Sequence, residues 1–280
     1  MKVFSTVLDL RTYLKNERTN GKSIGFVPTM GALHAGHISL IEAARAANDL
    51  TVCSIFVNPT QFNNPEDLAR YPRTLAVDCQ LLQVAGCEVV FAPSAQEMYP
   101  ETAQIKFDFG ALERVMEGQF RPGHFNGVGV VVSKLFNIVQ PDRAYFGQKD
   151  LQQVAVVRRL MLDLGFQIEL HTCPTLREAD GLAMSSRNAN ILPEHRPVAT
   201  AIFHALSQAK VLILAGQTAQ TVRKEIDEIF AQYPDFKLEY FEIVNLYSLV
   251  AVTDRQPEGQ TALCVAAFLG KVRLIDNFVF

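Results

Sequence analysis

The chain has 280 residues, of which 49% are hydrophobic and 20% charged, and its formal net charge is -3. At ~100 to 200 residues per domain this length fits two domains, and the composition is that of a globular protein with a sizeable core, not of a disordered or fibrous chain. The slightly negative charge disfavours nucleic acid as a partner. A phosphate-binding site would therefore depend on a local group of donors and not on the overall charge of the protein.

The cysteines are scattered and odd in number, and they stand at Cys53, Cys79, Cys87, Cys173 and Cys264. The absence of a C-x-x-C spacing disfavours both a disulfide framework and a structural zinc site. We therefore expect a cytoplasmic protein. The N-terminal sequence becomes charged within a dozen residues, and no apolar run approaches the ~18 residues that a membrane span needs. We therefore expect no targeting segment and no membrane partner.

Short β-branched runs alternate with helical patterns in the first part of the chain. In chain order we predict strands at 23–27, 51–57, 87–92, 143–147 and 167–173, and helices at 36–47, 66–84, 130–139 and 150–164. Such alternation is typical of βαβ units on a parallel sheet. Ligands bind beyond the carboxyl ends of such strands, so segments 28–37, 58–63 and 147–150 are the candidate sites.

The pattern changes after Pro174. A polar loop is followed by predicted helices at 193–215 and 218–232 and by predicted strands at 237–246, 261–269 and 271–276. The sequence therefore predicts an α/β protein with a Rossmann-like parallel-sheet domain over 1–175 and a smaller α+β domain over 176–280, which we expect to act as a lid.

The first candidate is the pair His34 and His37, which follows a predicted strand and opens the next helix. Residues three apart share one helix face, and a helix N-terminus offers unpaired N–H groups and partial positive charge to a phosphate. A purely structural pair, with one histidine capping the helix and the other filling a gap, is the alternative. A zinc pair is disfavoured because a third ligand is missing at the usual spacing.

Three further polar segments are weaker candidates. Lys149 follows the strand predicted at 143–147 and could neutralise phosphate charge, although Asp150 and Gln153 also resemble a capping box. The segment 184–188 offers two hydroxyls and a guanidinium that could clamp phosphates, but serine-rich loops are usually turns. The segment 58–63 carries amides that could bind hydroxyls or carboxylates, or simply form an Asn-Pro turn.

Three common motifs are absent from the chain, and one further loop has no assigned role. The chain lacks the phosphate loop G-x-x-x-x-G-K-[ST], a complete G-x-G-x-x-G and a G-x-S-x-G elbow, which disfavours ordinary dinucleotide binding and covalent serine catalysis. The loop 121–124 offers a possible anion contact through Arg121, to which we assign no function.

Several segments in both predicted domains together resemble the pantoate-β-alanine ligase family, in the nucleotidylyltransferase superfamily. The segments are PTMGALHAGH (28–37), SIFVNPTQF (54–62), DLARYPRTL (67–75), RPGHF (121–125), SKLFNIVQPD (133–142), FGQKDLQQ (146–153), GLAMSSRN (181–188) and RLIDN (273–277). The resemblance implies ATP-dependent condensation of pantoate with β-alanine to pantothenate through a pantoyl adenylate. ATP carrying Mg²⁺, pantoate and β-alanine would be the small-molecule substrates, and the protein would be a homodimer.

The same resemblance assigns roles to individual residues. It implies catalytic roles for His34, His37 and Lys149, with His37 as the proton donor to the leaving group. It implies that ATP contacts Met30, Gly31, Ala32, Leu33, His34, Ala35, Gly36, His37, Gly147, Gln148, Lys149, Asp150, Leu176, Met184, Ser185, Ser186 and Arg187. It implies pantoate contacts at Gln61 and Gln153 and β-alanine contacts at Asn58 and Gln61, with no metal held by the protein itself.

Two departures from the family pattern stand beside these motifs. Gln148 replaces a usual glutamate, which removes a negative charge beside Lys149, and Thr60 replaces a usually apolar residue near the amine subsite. Two other functions stay open at this point. Another adenylyl transferase would usually be shorter and lack 176–280, and a nucleotide-sensing module without turnover would be expected to lack His34, His37 or Lys149.

Overall fold

The computed structural model describes residues 1–253 and 256–280, which form two compact units. The first comprises Met1–Gln148 and Gln152–Pro174, and the second comprises Lys149–Leu151 and Thr175–Phe280. The predicted architecture, a parallel α/β domain followed by a smaller α+β domain, is confirmed. The predicted limits, 1–175 and 176–280, differ from these units at 149–151 and at Thr175, all of which belong to the second unit.

The first unit is built on a six-stranded sheet in the order β1-β4-β3-β2-β5-β6. Its strands are β1 (Lys2–Phe4), β2 (Ile24–Thr29), β3 (Leu50–Ile55), β4 (Val89–Phe91), β5 (Arg143–Gly147) and β6 (Glu169–Cys173). All pairings are parallel. The chain moves from β2 to β3 and β4 on one side, whereas β5 and β6 lie on the other side, so the strand order reverses between β2 and β5. Ligands of open α/β sheets bind at such a reversal.

Helices cover both faces of this sheet. They are α1 (Val7–Thr19), α2 (Ala35–Ala47), α3 (Pro65–Arg70), α4 (Leu75–Val84), α5 (Ala95–Met98), α6 (Met116–Phe120), α7 (His124–Val139) and α8 (Leu151–Leu164). Successive strand residues point to opposite faces. Phe26 of β2 accordingly belongs to a core with residues of α1, α7 and α8, and Val27 belongs to a core with residues of α2 and α4.

Three predictions for this unit were incomplete or wrong. The single helix predicted over 66–84 is two helices, because Pro72 cannot continue a helix and holds Tyr71 in extended backbone with ψ 126°. Helix α7 begins at His124, six residues before the predicted start. Strand β1 and helix α1 were not predicted.

The second unit packs two helices on an antiparallel three-stranded sheet. Its elements are α9 (Ala201–Leu214), α10 (Ala219–Ala231), β7 (Phe236–Asn245), β8 (Thr261–Leu269) and β9 (Val272–Val279), with the strands in the order β7-β8-β9. One helical span in the described residues, Arg196–Leu214, is long and apolar enough to cross a bilayer by length and composition alone. Its residues Ile202, Leu206 and Ala209 are fully buried in the core of this unit, and this packing accounts for their apolar character.

Candidate active site

His34 and His37 lie at the carboxyl end of β2, where the chain turns into α2. His34 is the N-cap of α2, and its Nδ1 accepts a hydrogen bond from the Gly36 N–H at 3.1 Å. The Nδ1 of His37 accepts a hydrogen bond from the His34 N–H at 3.3 Å. The ring centroids are 4.1 Å apart. Both histidines therefore cap the helix, as the structural alternative supposed for one of them.

This capping also fixes the orientation and the tautomer of both imidazoles. Because each Nδ1 accepts a hydrogen bond, a neutral ring must carry its proton on Nε2. Each ring consequently presents an Nε2–H donor, and the helix N-terminus adds its partial positive charge. The capping and the ligand-binding interpretations are compatible, since they use different nitrogens of the same ring.

A buried carboxylate holds the loop from Met30 to Leu33 that precedes the histidines. Asp78 of α4 is 1% exposed and accepts hydrogen bonds from the N–H groups of Ala32 and Leu33 at 3.0 and 2.8 Å. Gly31 adopts φ +82°, and a Cβ there would come within 3.0 Å of the same carboxylate. The backbone therefore passes close over Asp78, which only a glycine at this position permits without strain.

Sequence reasoning missed Asp78, although a signal was present. Asp78 and Leu82 are four residues apart and are the two buried residues of α4. Residues at this spacing share a helix face, so a charged residue stood at a core-facing position. Such a residue needs hydrogen-bond partners in the interior, and the loop of the candidate phosphate site supplies them.

Gln61 and Asn58 form a buried amide pair after β3. The 3₁₀ helix Pro59–Gln61 follows Asn58, and Asn58 Nδ2 donates to Gln61 Oε1 at 3.1 Å. The Gln61 Nε2 lies 3.1 Å from the sulfur of Met30, in the loop after β2. This arrangement orients the Gln61 amide so that its NH₂ group faces the Met30 side, where it can donate to a carboxylate or hydroxyl oxygen.

Asn58 itself is 1% exposed, and its amide has internal partners on both atoms. Its Oδ1 accepts from the hydroxyls of Tyr99 at 2.9 Å and Thr60 at 3.0 Å, and its Nδ2 also donates to the Gly127 carbonyl at 3.2 Å. These contacts favour a positioning role for Asn58, which orients Gln61. A direct contact of Asn58 with β-alanine stays a prediction.

Two residues of α7 that received no predicted role contact the backbone at Gln61. The Nδ1 of the buried His124 lies 2.9 Å from the Gln61 carbonyl, to which it must donate. A Cβ at Gly127 would lie 2.3 Å from the Thr60 carbonyl oxygen and 2.7 Å from the Gln61 Cα. The helix and the 3₁₀ turn are therefore in backbone contact, and the missing side chain of Gly127 allows this approach.

In the second unit, Lys149 is grouped with two residues of the predicted phosphate clamp. Lys149, Ser185 and Arg187 line one small cavity. The Lys149 side chain is 16% exposed, and its Nζ is 3.9 Å from Asp150 Oδ1. Ser185 caps the 3₁₀ helix Ser186–Asn190 by accepting the Arg187 N–H at 3.3 Å. Two cationic groups and a hydroxyl in one concave surface are suited to binding an anion.

The polar loop predicted after Pro174 contains a short β-bridge. Arg177 and Ala183 pair antiparallel, and the Met184 N–H donates to the Leu176 carbonyl at 3.0 Å. The structure thus places Leu176 and Met184, two of the predicted ATP contacts, side by side. Leu176 is 39% exposed, so apolar surface is available there for a base.

The remaining predicted residues lie near these groups in sequence. Gly147 ends β5, the 3₁₀ helix Gln148–Asp150 follows, and Gln153 is half-buried in the first turn of α8. Arg121 lies 3.6 Å from the carboxylate of Glu117, which balances the charge of the loop to which we assigned no function. Within 1–253 and 256–280, His, Cys, Asp and Glu side chains form no group of three or more that could hold a metal ion.

Comparison with known proteins identifies the family. The family model of pantoate-beta-alanine ligase matches residues 2–279. A pantothenate synthetase of Phocaeicola vulgatus is 49% identical, with 100% of this chain and 99% of that protein covered. One from Porphyromonas gingivalis is 48% identical over 280 residues, with the same coverage.

Solved structures give the same result. A pantothenate synthetase of Thermus thermophilus has a TM-score of 0.93 and 44% identity, with 99% of each chain covered. A pantoate-beta-alanine ligase of Francisella tularensis, complexed with beta-gamma ATP and beta-alanine, has a TM-score of 0.77 and 34% identity, with 100% of this chain and 97% of that one covered. This chain belongs to the pantoate-β-alanine ligase family.

Proposed function

We propose that the protein joins pantoate to β-alanine in two steps that use ATP. In the first step a pantoate carboxylate oxygen attacks the α-phosphorus of ATP, the bond to pyrophosphate breaks, and pantoyl adenylate forms. In the second step the β-alanine amine attacks the acyl carbon, AMP leaves, and pantothenate results. Family membership supports this overall reaction, and the paired histidines at the α2 N-terminus are the observation that carries the residue assignment.

The first step requires charge stabilisation more than acid-base chemistry. Negative charge develops on the departing pyrophosphate, and fixed donors aimed at that charge lower the barrier. We assign the Nε2–H groups of His34 and His37 to the α-phosphate and the leaving pyrophosphate, with His37 as the proton donor. The reciprocal Nδ1 hydrogen bonds support this assignment because they set both tautomers before ATP arrives.

The other ATP contacts follow the two groups of residues described above. Met30 to Leu33 and Ala35 to His37 would line the ATP site around the two histidines. Lys149 would offset phosphate charge, and Ser185, Ser186 and Arg187 would bind the outer phosphates. Gly147 and Asp150 would hold the ribose, Leu176 and Met184 would contact the adenine, and Gln148 would be a further ATP contact. Mg²⁺ would enter on the ATP phosphates, which are among its preferred oxygen ligands.

Substrate choice is assigned to the amides. Gln61 and Gln153 would bind the hydroxyl and carboxylate oxygens of pantoate, and Gln61 with Asn58 would face the incoming β-alanine. Uncharged amides suit this site, because they donate to a carboxylate without lowering its reactivity as a full positive charge would. We further propose that the enzyme is a homodimer of the cytoplasm, as its family resemblance implies.

Exchange of labelled pyrophosphate into ATP tests the mechanism. We expect exchange that requires pantoate and proceeds without β-alanine, because the adenylate forms reversibly before the amine is needed. Exchange without pantoate, or none in protein that makes pantothenate, would overturn the acyl-adenylate step.

Lys149→Ala tests the clamp in the second unit. We expect turnover to fall by ~10²- to 10³-fold, the cost of losing one preorganised transition-state donor. Lys237→Ala, which removes an exposed lysine of β7, is the matched control and should retain wild-type turnover. If Lys149→Ala is folded and keeps wild-type turnover, Lys149 does not belong to the site.

A further inference from the structure

Asn277 of β9 holds the backbone of Lys149, from which it is separated by 128 positions. The Asn277 Nδ2 donates to the Lys149 carbonyl at 2.8 Å, and Asn277 is 3% exposed. Loss of this hydrogen bond would be costly, because the amide that makes it belongs to a buried side chain. The contact ties the turn that follows β5 to the sheet of the second unit.

A buried ion pair next to Asn277 holds it in turn. The Asp276 side chain is fully buried and accepts two hydrogen bonds from Arg177, at 2.6 and 3.0 Å. One oxygen of the same carboxylate accepts the Asn277 N–H at 2.8 Å. The Arg177 guanidinium also donates to the Asn277 carbonyl at 3.3 Å. Both the backbone N–H and the backbone carbonyl of Asn277 are therefore held by this ion pair.

Arg177 extends this network to the segment that leads into the phosphate clamp. It donates to the Gly181 carbonyl at 3.1 Å, inside the turn closed by the Arg177–Ala183 bridge. The rings of Phe203 and Phe278 lie 5.0 and 4.9 Å from the guanidinium carbon. One network thus joins the backbone of Lys149 to the segment that carries Ser185 and Arg187.

We infer that Asn277, supported by the Arg177–Asp276 ion pair, is a positioning residue that keeps Lys149 aligned with Ser185 and Arg187 in their common cavity. A fully buried carboxylate paired with a guanidinium that is 20% exposed is a poor source of stability compared with apolar packing, so this pair is better explained by the alignment it imposes. Donors to a transition state must be held to a fraction of an ångström. The inference rests on the proposed role of Lys149 in ATP activation.

A double-mutant cycle separates positioning from general stability. We expect Asn277→Ala to lower turnover by ~10- to 100-fold through displacement of the lysine, with the KM for ATP changed far less. In the Lys149→Ala background the same substitution should have little further effect, because residues that act through one group are not additive. Ile226→Val, a mild core substitution in the same unit that is remote from this network, should act equally in both backgrounds.

The outcomes distinguish the two claims. If Lys149→Ala retains full turnover, both the proposed role of Lys149 and the positioning inference are wrong. If Lys149→Ala is impaired but Asn277→Ala keeps wild-type turnover, or multiplies the loss in the double variant, only the positioning inference is wrong. Should Asn277→Ala fail to fold, Asn277→Leu keeps the branched shape without the donor and must give the same non-additive loss.

Discussion

The ring nitrogen Nδ1 of His37 accepts a hydrogen bond from the backbone N–H of His34 at 3.3 Å, and the Nδ1 of His34 accepts one from the Gly36 N–H at 3.1 Å. Both Nδ1 atoms therefore accept hydrogen bonds from the backbone of their own helix end, and a neutral ring carries its proton on Nε2. The two functions of each ring are therefore separable by substitution.

His34→Asn should separate capping from catalysis. Asparagine is among the best N-cap residues, and its Oδ1 can take the place of the histidine Nδ1 while the distal N–H is lost. We expect the melting temperature to stay near that of the wild type and turnover to fall by ~10²-fold or more. Differential scanning calorimetry and steady-state kinetics measure the two effects.

His34→Ala is the matched control, because it removes the cap as well as the donor. Its turnover should fall as much as that of His34→Asn, and its free energy of unfolding should fall by an additional ~0.5 to 2 kcal/mol. Wild-type turnover in His34→Asn would mean that His34 only caps the helix.

Asp78→Asn should loosen the phosphate loop. An amide NH₂ group in place of one carboxylate oxygen would face a backbone N–H of Ala32 or Leu33, and an unpaired buried N–H costs about 1 to 3 kcal/mol. We expect a lower urea midpoint and a raised KM for ATP. Asp67→Asn removes an exposed carboxylate of α3 and should change neither quantity; an unchanged KM in Asp78→Asn would contradict the assigned role.

Gly127→Ala should displace Gln61. The added Cβ would collide with the Thr60 carbonyl at 2.3 Å, and neither backbone can yield without moving the 3₁₀ turn. We expect the KM for pantoate to rise by ~10-fold or more, since ångström-scale displacement of a binding group is costly. Asn137→Ala on the exposed face of the same helix is the control, and equal pantoate kinetics in the two variants would contradict this account.

Buried thiols should make the first unit less stable at alkaline pH. Burial raises the pKa of Cys87 to about 12 and raises the pKa of Cys53 well above its ordinary value of 9.0. Between pH 9 and the folded-state values, the unfolded chain has lost these protons and the folded chain has not, so the free energy of unfolding falls as pH rises.

Urea unfolding at pH 8 and pH 10 measures this effect. The double variant Cys53→Ala/Cys87→Ala should lose less stability between the two pH values than the wild type, whatever its stability at pH 8. Other alkaline groups are shared by both proteins and cancel in the comparison. Equal losses would show that the two thiols do not ionise on unfolding in this range.

Local sequence determined the turn from β2 into α2. A β-branched run, two glycines and histidines three residues apart indicate a strand, a turn and a helix start, and each of these depends on neighbours within a few positions. The same local reasoning placed α2 over nearly its observed length. It failed at Pro72, although proline is itself a local signal for a helix break.

Tertiary structure decided which groups support these local elements. Asp78 binds the backbone of Ala32 and Leu33, which precede it by 46 and 45 positions. Gly127 contacts Gln61, which is 66 positions away, and Asn277 contacts Lys149, which is 128 positions away. No periodicity or spacing encodes such pairs, because they form only when strands and helices pack and buried polar groups must find partners. The sequence by itself located the residues proposed to touch ATP, and only the packed fold identified the residues that hold them in place.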